Sequence, residues 1–353
     1  MNAPASVQPP ASRLHVYFVA MLFIAVAIGG LFYVKWQPYF GKAIFAAAHH
    51  SLGTSILSGT QAVPPAVGWR AGLAYSIAYV KAIWQALVLG LVLGAGIEAL
   101  LPRATLGQFF AGSSGSIRAT AFAIPSMMCT CCSAPIAVGL IESGVAPTSA
   151  IIYWLANPVL NPATLIFIGF ALGWHWVALR LVVGAALVFT VGYVAARVIP
   201  SGFPVASPPR AQQVAANQHF LIAWLRAFVR LAIRLLPEYV VIVFVLGVVR
   251  AWLFPQMTPV IGHAYWLAPA LAAAGTLLVI PTAGEVPIVQ VLQHFGLGGA
   301  GAAALLITLP AVSLPSLFMM ARALPARVIL VLGLGTFVFG LLGAVATIAF
   351  GFS

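Results

Sequence analysis

The apolar run from Ser149 to Gly173 is interrupted by the stretch Asn157-Pro158-Val159-Leu160-Asn161-Pro162. Proline has no backbone N–H and clashes with the turn before it, so two prolines about one turn apart break a helix. In lipid, the backbone groups freed by a break must be satisfied by protein or by water in a cavity. Asn157 and Asn161 each add an amide with two donors and an acceptor. We therefore predict a broken membrane helix that lines a binding site, with a plain kink as the alternative.

The composition of the whole chain agrees with a membrane location. Of 353 residues, 16 are Lys or Arg and 4 are Asp or Glu, which makes 6% charged against roughly 25% in ordinary soluble domains. Hydrophobic residues make up 63% and the mean hydropathy is +1.09. These values exclude a soluble enzyme, a disordered chain and a secreted disulfide scaffold, and they predict an all-α polytopic membrane protein. The net charge of +12 forms no dense patch, so we expect a positive-inside bias and no nucleic-acid partner.

Composition also divides the chain into four parts. The run from Leu14 to Val34 is long enough to span a bilayer and lacks a clear cleavage site, so we expect a retained transmembrane helix. The segment from Tyr39 to Leu57 looks amphipathic and contains His49-His50, for which a metal role is the alternative to an interfacial helix or folded loop. The predicted parts are the N-terminal helix with its amphipathic loop (1–75), a first repeat (76–198), a linker with an interfacial helix (199–236) and a second repeat (237–353).

The predicted interfacial helix rests on a charge pattern. Arg226, Arg230 and Arg234 recur every four residues, so they share one helical face opposite apolar side chains. Such a helix is typical of the membrane interface. We expect it to end before a separate span from Glu238 to Phe254.

The two repeats are visible as a shift of 152 residues. The shift superposes the breaks and small residues of the two halves: Pro135 on Pro287, Gly144 on Gly296, Pro158 on Pro310 and Asn161 on Ser313. Several coincidences in one register predict an internal repeat, the usual construction of secondary transporters.

The basic residues predict that the two repeats are inverted in the membrane. The connection after the first long helix carries Arg103 and Arg118 only in the first copy, whereas the connection before the last helix carries Arg322 and Arg327 only in the second. Inversion requires an odd number of crossings per copy, so the segment from Ile117 to Ser143 is expected to be re-entrant, with a single broken crossing helix as the alternative.

The cysteines of the chain, Cys129, Cys131 and Cys132, fall within four residues around Thr130. Clustered thiols beside a predicted helix break indicate a site, not a disulfide framework. Thiolates bind trivalent arsenic, Cu(I), zinc or persulfide-like sulfur. No histidine is nearby in the sequence, which argues against zinc, so we expect no resident metal and no cofactor.

An intramembrane carboxylate is a functional candidate by default. Glu285 lies in Pro281-Thr-Ala-Gly-Glu-Val-Pro287, which corresponds by pseudo-symmetry to the cysteine segment. We predict that Glu285 carries a proton for coupled transport, with a buried ion pair as the alternative. Glu98 lies near a helix end, where we expect a structural role. Glu142 lies at the base of an arm, where a gating role is the hypothesis.

The chain resembles the predicted permease family of the YraQ and ArsP type. The resemblance rests on Cys129-Thr-Cys131 with Ala-Pro135-Ile, on the Asn-Pro pairs and on Gly284-Glu285-Val-Pro287 of the second copy, and it covers roughly residues 76–350. It implies a multi-pass protein of the bacterial inner membrane that exports trivalent organoarsenicals. This sequence departs from the family's Cys-Ser-Cys-Gly form at Thr130 and Cys132, and the third thiol could change the substrate.

The sequence thus predicts a permease, not an enzyme, that moves a small thiophilic solute or anion among membrane lipids, as a monomer or homodimer. The expected substrate-binding residues are the three cysteines, Thr130, Asn157, Asn161 and Ser313, with Glu285 for proton coupling. A carrier for a sulfur-containing oxyanion or a soft metal ion is the alternative. A membrane thiol oxidoreductase is a third hypothesis, weakened by the lack of a second cysteine pair to relay electrons.

Overall fold

The computed structural model describes residues 13–53, 67–101, 103–200, 220–253 and 266–351. Within these residues the secondary structure is helical, and seven helical segments are long and apolar enough to cross a membrane. This confirms the predicted all-α polytopic architecture.

The helices occur in the following order, and their bounds show where the chain is broken. They are α1 (Arg13–Leu31), a π-helical turn (Phe32–Trp36), α2 (Gln37–His49), α3 (Trp69–Leu100), α4 (Arg103–Phe109), α5 (Gly112–Ser126), α6 (Thr130–Glu142), α7 (Pro147–Val159), α8 (Pro162–Ala171), α9 (Trp174–Arg197), α10 (Phe220–Leu253), α11 (Leu267–Leu277), α12 (Glu285–His294), α13 (Gly299–Ala311), α14 (Leu314–Met320) and α15 (Ala326–Phe350).

The N-terminal helix is longer than the sequence suggested. It does not stop at Val34 but continues through the π-helical turn into α2, where Gln37 N–H donates to Phe32 O, five residues back. Pro38 explains this turn, because it offers no N–H to the carbonyl of Val34 and the ladder must widen. The consequence is that Lys35, which directly follows the apolar run, is buried in the protein.

A second difference concerns the helix with three arginines. The expected end at residue 236 is absent, because α10 is one continuous helix that contains Pro237. Arg230 pairs with Glu98 at 2.6 Å and Arg234 pairs with Glu142 at 2.7 Å. Two of the three arginines thus pair with glutamates of α3 and α6, and α10 is itself a candidate span.

The shift of 152 residues holds for the helices as well as for the sequence. Moved by this number, the bounds of α13 fall on 147–159, which are those of α7, and α15 falls on 174–198, against Trp174–Arg197 for α9. Each half is therefore a long helix, a broken pair, a broken span and a last long helix.

Equivalent long helices of the two halves pack antiparallel. The start of α3 meets the end of α10, since a Cβ on Gly72 would lie 2.5 Å from Val248 Cγ2. The end of α3 meets the start of α10, where Trp224 Nε1 donates to Val92 O at 2.9 Å. Antiparallel packing of equivalent helices supports inverted repeats, and the membrane orientation of each half stays a prediction.

The cysteine segment forms a hairpin in this structure. Along α6, Cys132 lies level with Gly90 of α3 and Ser143 lies level with Ile97, so α6 runs parallel to α3 towards its C-terminal end. The chain enters α5 from the same end of α3, because a Cβ added to Gly107, just before α5, would lie 3.5 Å from the carbonyl oxygen of Gly144. Both ends of the α5–α6 pair are therefore on one side, which favours the re-entrant form over a broken crossing helix.

Candidate functional site

The broken segments of both halves meet at one place. Asn157 Oδ1, at the break between α7 and α8, accepts from the N–H of Met128 at 3.1 Å. Thr130 Oγ1 lies 3.3 Å from Ser313 Oγ, at the break between α13 and α14. The tip of the first hairpin is thus tied to the broken spans of both repeats, across a sequence distance of 183 residues in the second case.

The three thiols form a compact buried cluster at this tip. Cys129 Sγ lies 3.3 Å from Cys131 Sγ and 2.9 Å from Cys132 Sγ. All three sulfurs lie within 4.8 Å of one another, and each cysteine is at most 4% exposed. In the described part of the chain, this is the group of side chains that could hold a soft ion.

The local sequence explains why the thiols converge. Cys129 is the N-cap residue of α6, and Cys131 and Cys132 occupy its first turn. The N–H groups at a helix start carry partial positive charge, which favours a thiolate or an anionic ligand. Gly90 allows the close approach, because a Cβ there would lie 2.1 Å from the carbonyl oxygen of Cys132.

Tyr79 connects the first tip to the second. Its hydroxyl lies 3.1 Å from Cys131 Sγ and also donates to Ile280 O at 3.4 Å. Ile280 belongs to the segment 278–284, which separates α11 from α12 and contains Ala283 at φ 65°. Both tips therefore lie at the same level of α3, on either side of one tyrosine.

The two asparagines have different roles. Asn157 satisfies the unwound first tip, as described above. Asn161 caps α8, because its Oδ1 accepts from Ala163 N at 3.0 Å and from Thr164 N at 3.3 Å. The Nδ2 of Asn161 is buried and has no hydrogen-bond partner among the described residues. A buried donor without a partner is costly, so this amide is a candidate contact for a bound solute.

Glu285 lies at the start of α12 and forms an ion pair that the sequence left as an alternative. Its Oε1 is 2.7 Å from Arg180 Nη1, and both side chains are at most 2% exposed. Arg180 also donates to the carbonyls of Pro158 at 2.8 Å and Val159 at 3.1 Å. These are the carbonyls that the break after α7 leaves free, so one guanidinium binds both the broken span and the start of α12.

Sequence analysis missed Arg180, although its signal was present. It lies in the interior of the apolar helix α9, whose other arginine, Arg197, is its last residue, and a charged residue within a membrane span is a functional candidate. The other glutamates pair at the periphery: Glu98 and Glu142 with α10 as above, and the exposed Glu238 with Arg322. For His49 and His50 a metal role was only the alternative reading, and in the structure their Nδ1 atoms lie 3.0 and 2.8 Å from the carbonyls of Phe45 and Phe170.

A cavity of about 350 Å³ leads to the thiol cluster. Its walls include Lys35 and Lys42 from the N-terminal helix, Thr282 from the second tip, and Cys129. Lys35 is 4% exposed, whereas Lys42 is exposed and lies towards the outer part of the cavity wall. The sequence analysis did not single out Lys35, which directly follows the apolar run ending at Val34.

Broken helices that meet around buried thiols and amides, with a cavity leading to them, define the class of membrane permeases. A family model described as a predicted permease, ArsP_1, matches residues 73–348. The chain is 44% identical over 316 residues to UPF0718 protein YraQ of Escherichia coli (strain K12), which covers 88% of this chain and 90% of that protein. No solved structure matches the chain.

The chain therefore belongs to the ArsP_1 family of predicted permeases and is a multi-pass membrane protein. This confirms the resemblance drawn from the cysteine motif and the Asn-Pro pairs. The family match begins at residue 73, so Lys35 and the N-terminal helix lie outside it.

Proposed function

We propose that the chain is a permease for a small thiophilic solute, and that the solute binds at the tip of the first hairpin. The observation that carries this proposal is the cluster of three buried thiols within 4.8 Å of one another. The cluster lies where the interruptions of both repeats meet, which is where alternating-access transporters bind their substrates. No disulfide links the described cysteines, so their thiols are free to bind a solute.

Trivalent organoarsenicals are the substrate class that this cluster suits best. An arsonous acid, R–As(OH)₂, reacts with two thiols to form two As–S bonds and releases two waters, so no oxidant is needed. The reaction reverses when water replaces the thiols, which a transport cycle requires. We propose efflux across the bacterial inner membrane, as a monomer or homodimer, with Thr130, Asn157, Asn161 and Ser313 lining the solute's polar side.

Proton coupling through Glu285 is the second part of this proposal. In the described state Arg180 holds Glu285 in an ion pair at 2.7 Å. Separation of the pair during the cycle would leave a buried carboxylate without its partner, and protonation would neutralise it.

Other functions are less well supported by the site. A soft cation such as Cu(I) would suit three thiols, but Lys35 in the adjoining cavity opposes a cationic solute. A thiol oxidoreductase requires a relay, and the chain has three cysteines in total. We therefore infer transport of a neutral or anionic thiophilic solute, without catalysis of a chemical conversion.

The proposal is tested by growth and by flux. The chain is expressed in a bacterial host that lacks its own arsenical efflux, and uptake of phenylarsonous acid is followed in inverted membrane vesicles. We expect resistance and uptake with the natural chain, and loss of both when Cys129, Cys131 and Cys132 are replaced by Ser. Membrane abundance measured by immunoblot is the control, and full transport by the cysteine-free variant would overturn the proposal.

A further inference from the structure

We propose that the cavity between the N-terminal helix and the second tip is a binding site for a small inorganic oxyanion. This inference rests on the proposed permease function, and it names a class of solute that the thiol cluster alone does not require. The site consists of Lys35, Lys42, Tyr39 and Thr282, and it ends at Cys129.

The charge of the cavity wall favours an anion. The cavity wall contains two lysines and no carboxylate. Glu285, which follows the wall residue Gly284 in the sequence, is paired with Arg180. Among the described residues no carboxylate pairs with Lys35, which is 4% exposed. The acidic groups near its ammonium are Tyr39 and the thiols of Cys129 and Cys132. A buried ammonium without a carboxylate partner is costly, so a bound anion would stabilise this arrangement.

The hydrogen bonds of Lys35 leave one of its donors for a ligand. Lys35 Nζ donates to Tyr39 Oη at 3.2 Å and to Thr282 Oγ1 at 3.2 Å. An ammonium has three donors, so one is left after these two bonds. Each hydroxyl that accepts from Nζ must direct its own hydrogen elsewhere. Within the described residues no sulfur lies at hydrogen-bond distance from Nζ, so the third donor is not used by the thiols.

The cavity lies between the N-terminal helix and the two tips. Thr282 belongs to the second tip and Cys129 to the first, whereas Lys35 belongs to a helix outside the family match. An anion bound to Lys35 and Thr282 would therefore contact both the N-terminal helix and one re-entrant tip, directly beside the thiol cluster. The cavity of about 350 Å³ admits a small oxyanion with several waters. On this proposal the N-terminal helix of this chain supplies anion selectivity to the thiol site.

The test uses thiosulfate as the probe and the full chain purified in detergent. Equilibrium dialysis with radiolabelled thiosulfate gives the affinity of the natural chain and of Lys35→Met, Lys35→Arg and Lys81→Met. Lys81 is an exposed lysine of α3 that does not line the cavity, so Lys81→Met is the matched control. We expect Lys35→Met to weaken thiosulfate binding at least tenfold, Lys35→Arg to stay within threefold, and Lys81→Met to be unchanged.

Binding of phenylarsonous acid to the thiols is measured on the same preparations. We expect Lys35→Met to bind it as the natural chain does, which also shows that the variant is folded. Thiosulfate binding that is undetectable in the natural chain, or that is within threefold of the natural value in Lys35→Met, overturns the anion site. Either of these results together with intact arsenical binding leaves the proposed thiol permease standing, so the two failures are distinguishable.

Discussion

Arg180 of α9 and Glu285 at the start of α12 form a buried ion pair that joins the two repeats. The remaining donors of Arg180 bind the carbonyls of Pro158, Val159 and Leu306. One side chain therefore compensates a carboxylate and the backbone freed by a broken helix. The breaks that create the site are stable because this cation lies among them.

Arg180→Met should destabilise the protein strongly. It leaves Glu285 without its cation and three carbonyls without donors, and breaking a buried pair on one side costs about 3–5 kcal/mol. Thermal unfolding followed by tryptophan fluorescence measures the effect, with the exposed Arg197 of the same helix, as Arg197→Met, as the matched control. The double variant Arg180→Met/Glu285→Met should be more stable than the single one. Equal stability of Arg180→Met and Arg197→Met would contradict the assigned role.

Glu285→Gln tests the proton coupling. If Glu285 takes up the proton, the amide variant should lose transport that is driven by a pH gradient but keep the exchange of labelled for unlabelled substrate across the membrane. Proteoliposomes with phenylarsonous acid allow both measurements. Glu142→Gln is the matched control, since Glu142 also pairs with an arginine but lies at the end of α6. Gradient-driven transport by Glu285→Gln at the natural rate would assign Glu285 a purely structural role.

The third thiol should decide between inorganic and organic arsenic. Arsenous acid, As(OH)₃, can form three As–S bonds with loss of three waters, whereas phenylarsonous acid forms two. Cys132→Ala removes one of the three sulfurs that lie within 4.8 Å of one another. We expect its affinity for arsenous acid to fall at least tenfold, about 1.4 kcal/mol, and its affinity for phenylarsonous acid to change less than threefold.

Two comparisons sharpen this experiment. Cys132→Gly restores the residue expected from the family's motif, and it should behave as Cys132→Ala does, apart from a loss of helix stability of about 1 kcal/mol. Competition between the two arsenicals on the purified chain provides the affinities. An unchanged affinity of Cys132→Ala for arsenous acid would mean that Cys132 does not bind the solute.

Gly90→Ala should disturb the thiol cluster through the backbone of Cys132. The added Cβ would lie 2.1 Å from the carbonyl oxygen of Cys132 and 3.1 Å from its carbonyl carbon, and backbone atoms cannot rotate away. Overpacking of this kind costs about 1–3 kcal/mol and would displace the start of α6. We expect phenylarsonous acid to bind at least fivefold more weakly. Gly29→Ala, whose Cβ would meet nothing within 4 Å, should bind normally.

The composition predicted the membrane architecture, and the cysteine motif with the Asn-Pro pairs predicted the family. Proline positions and local apolar length are properties of short segments, so breaks at the cysteines and at the Asn-Pro pairs could be expected. The structure places the first break at residues 127–129, slightly before the expected tip at Cys129 to Cys132, and the second at residues 160–161. The register of 152 residues was likewise readable, because each half must break at equivalent points to build the same unit. Thr130 and Ser313 were predicted as site residues individually, and the structure places their hydroxyls 3.3 Å apart.

The sequence determined which segments break, which residues carry sulfur and that the chain consists of two similar halves, since these follow from local chemistry and period. Only the tertiary structure decided the partners of the charges. Arg180 and Glu285 are 105 residues apart, and Lys35 and Thr282 are 247 apart, yet each pair is in contact. Burial makes such contacts decisive, because a charge inside the protein must find a partner wherever the fold provides one, and no local pattern encodes that choice.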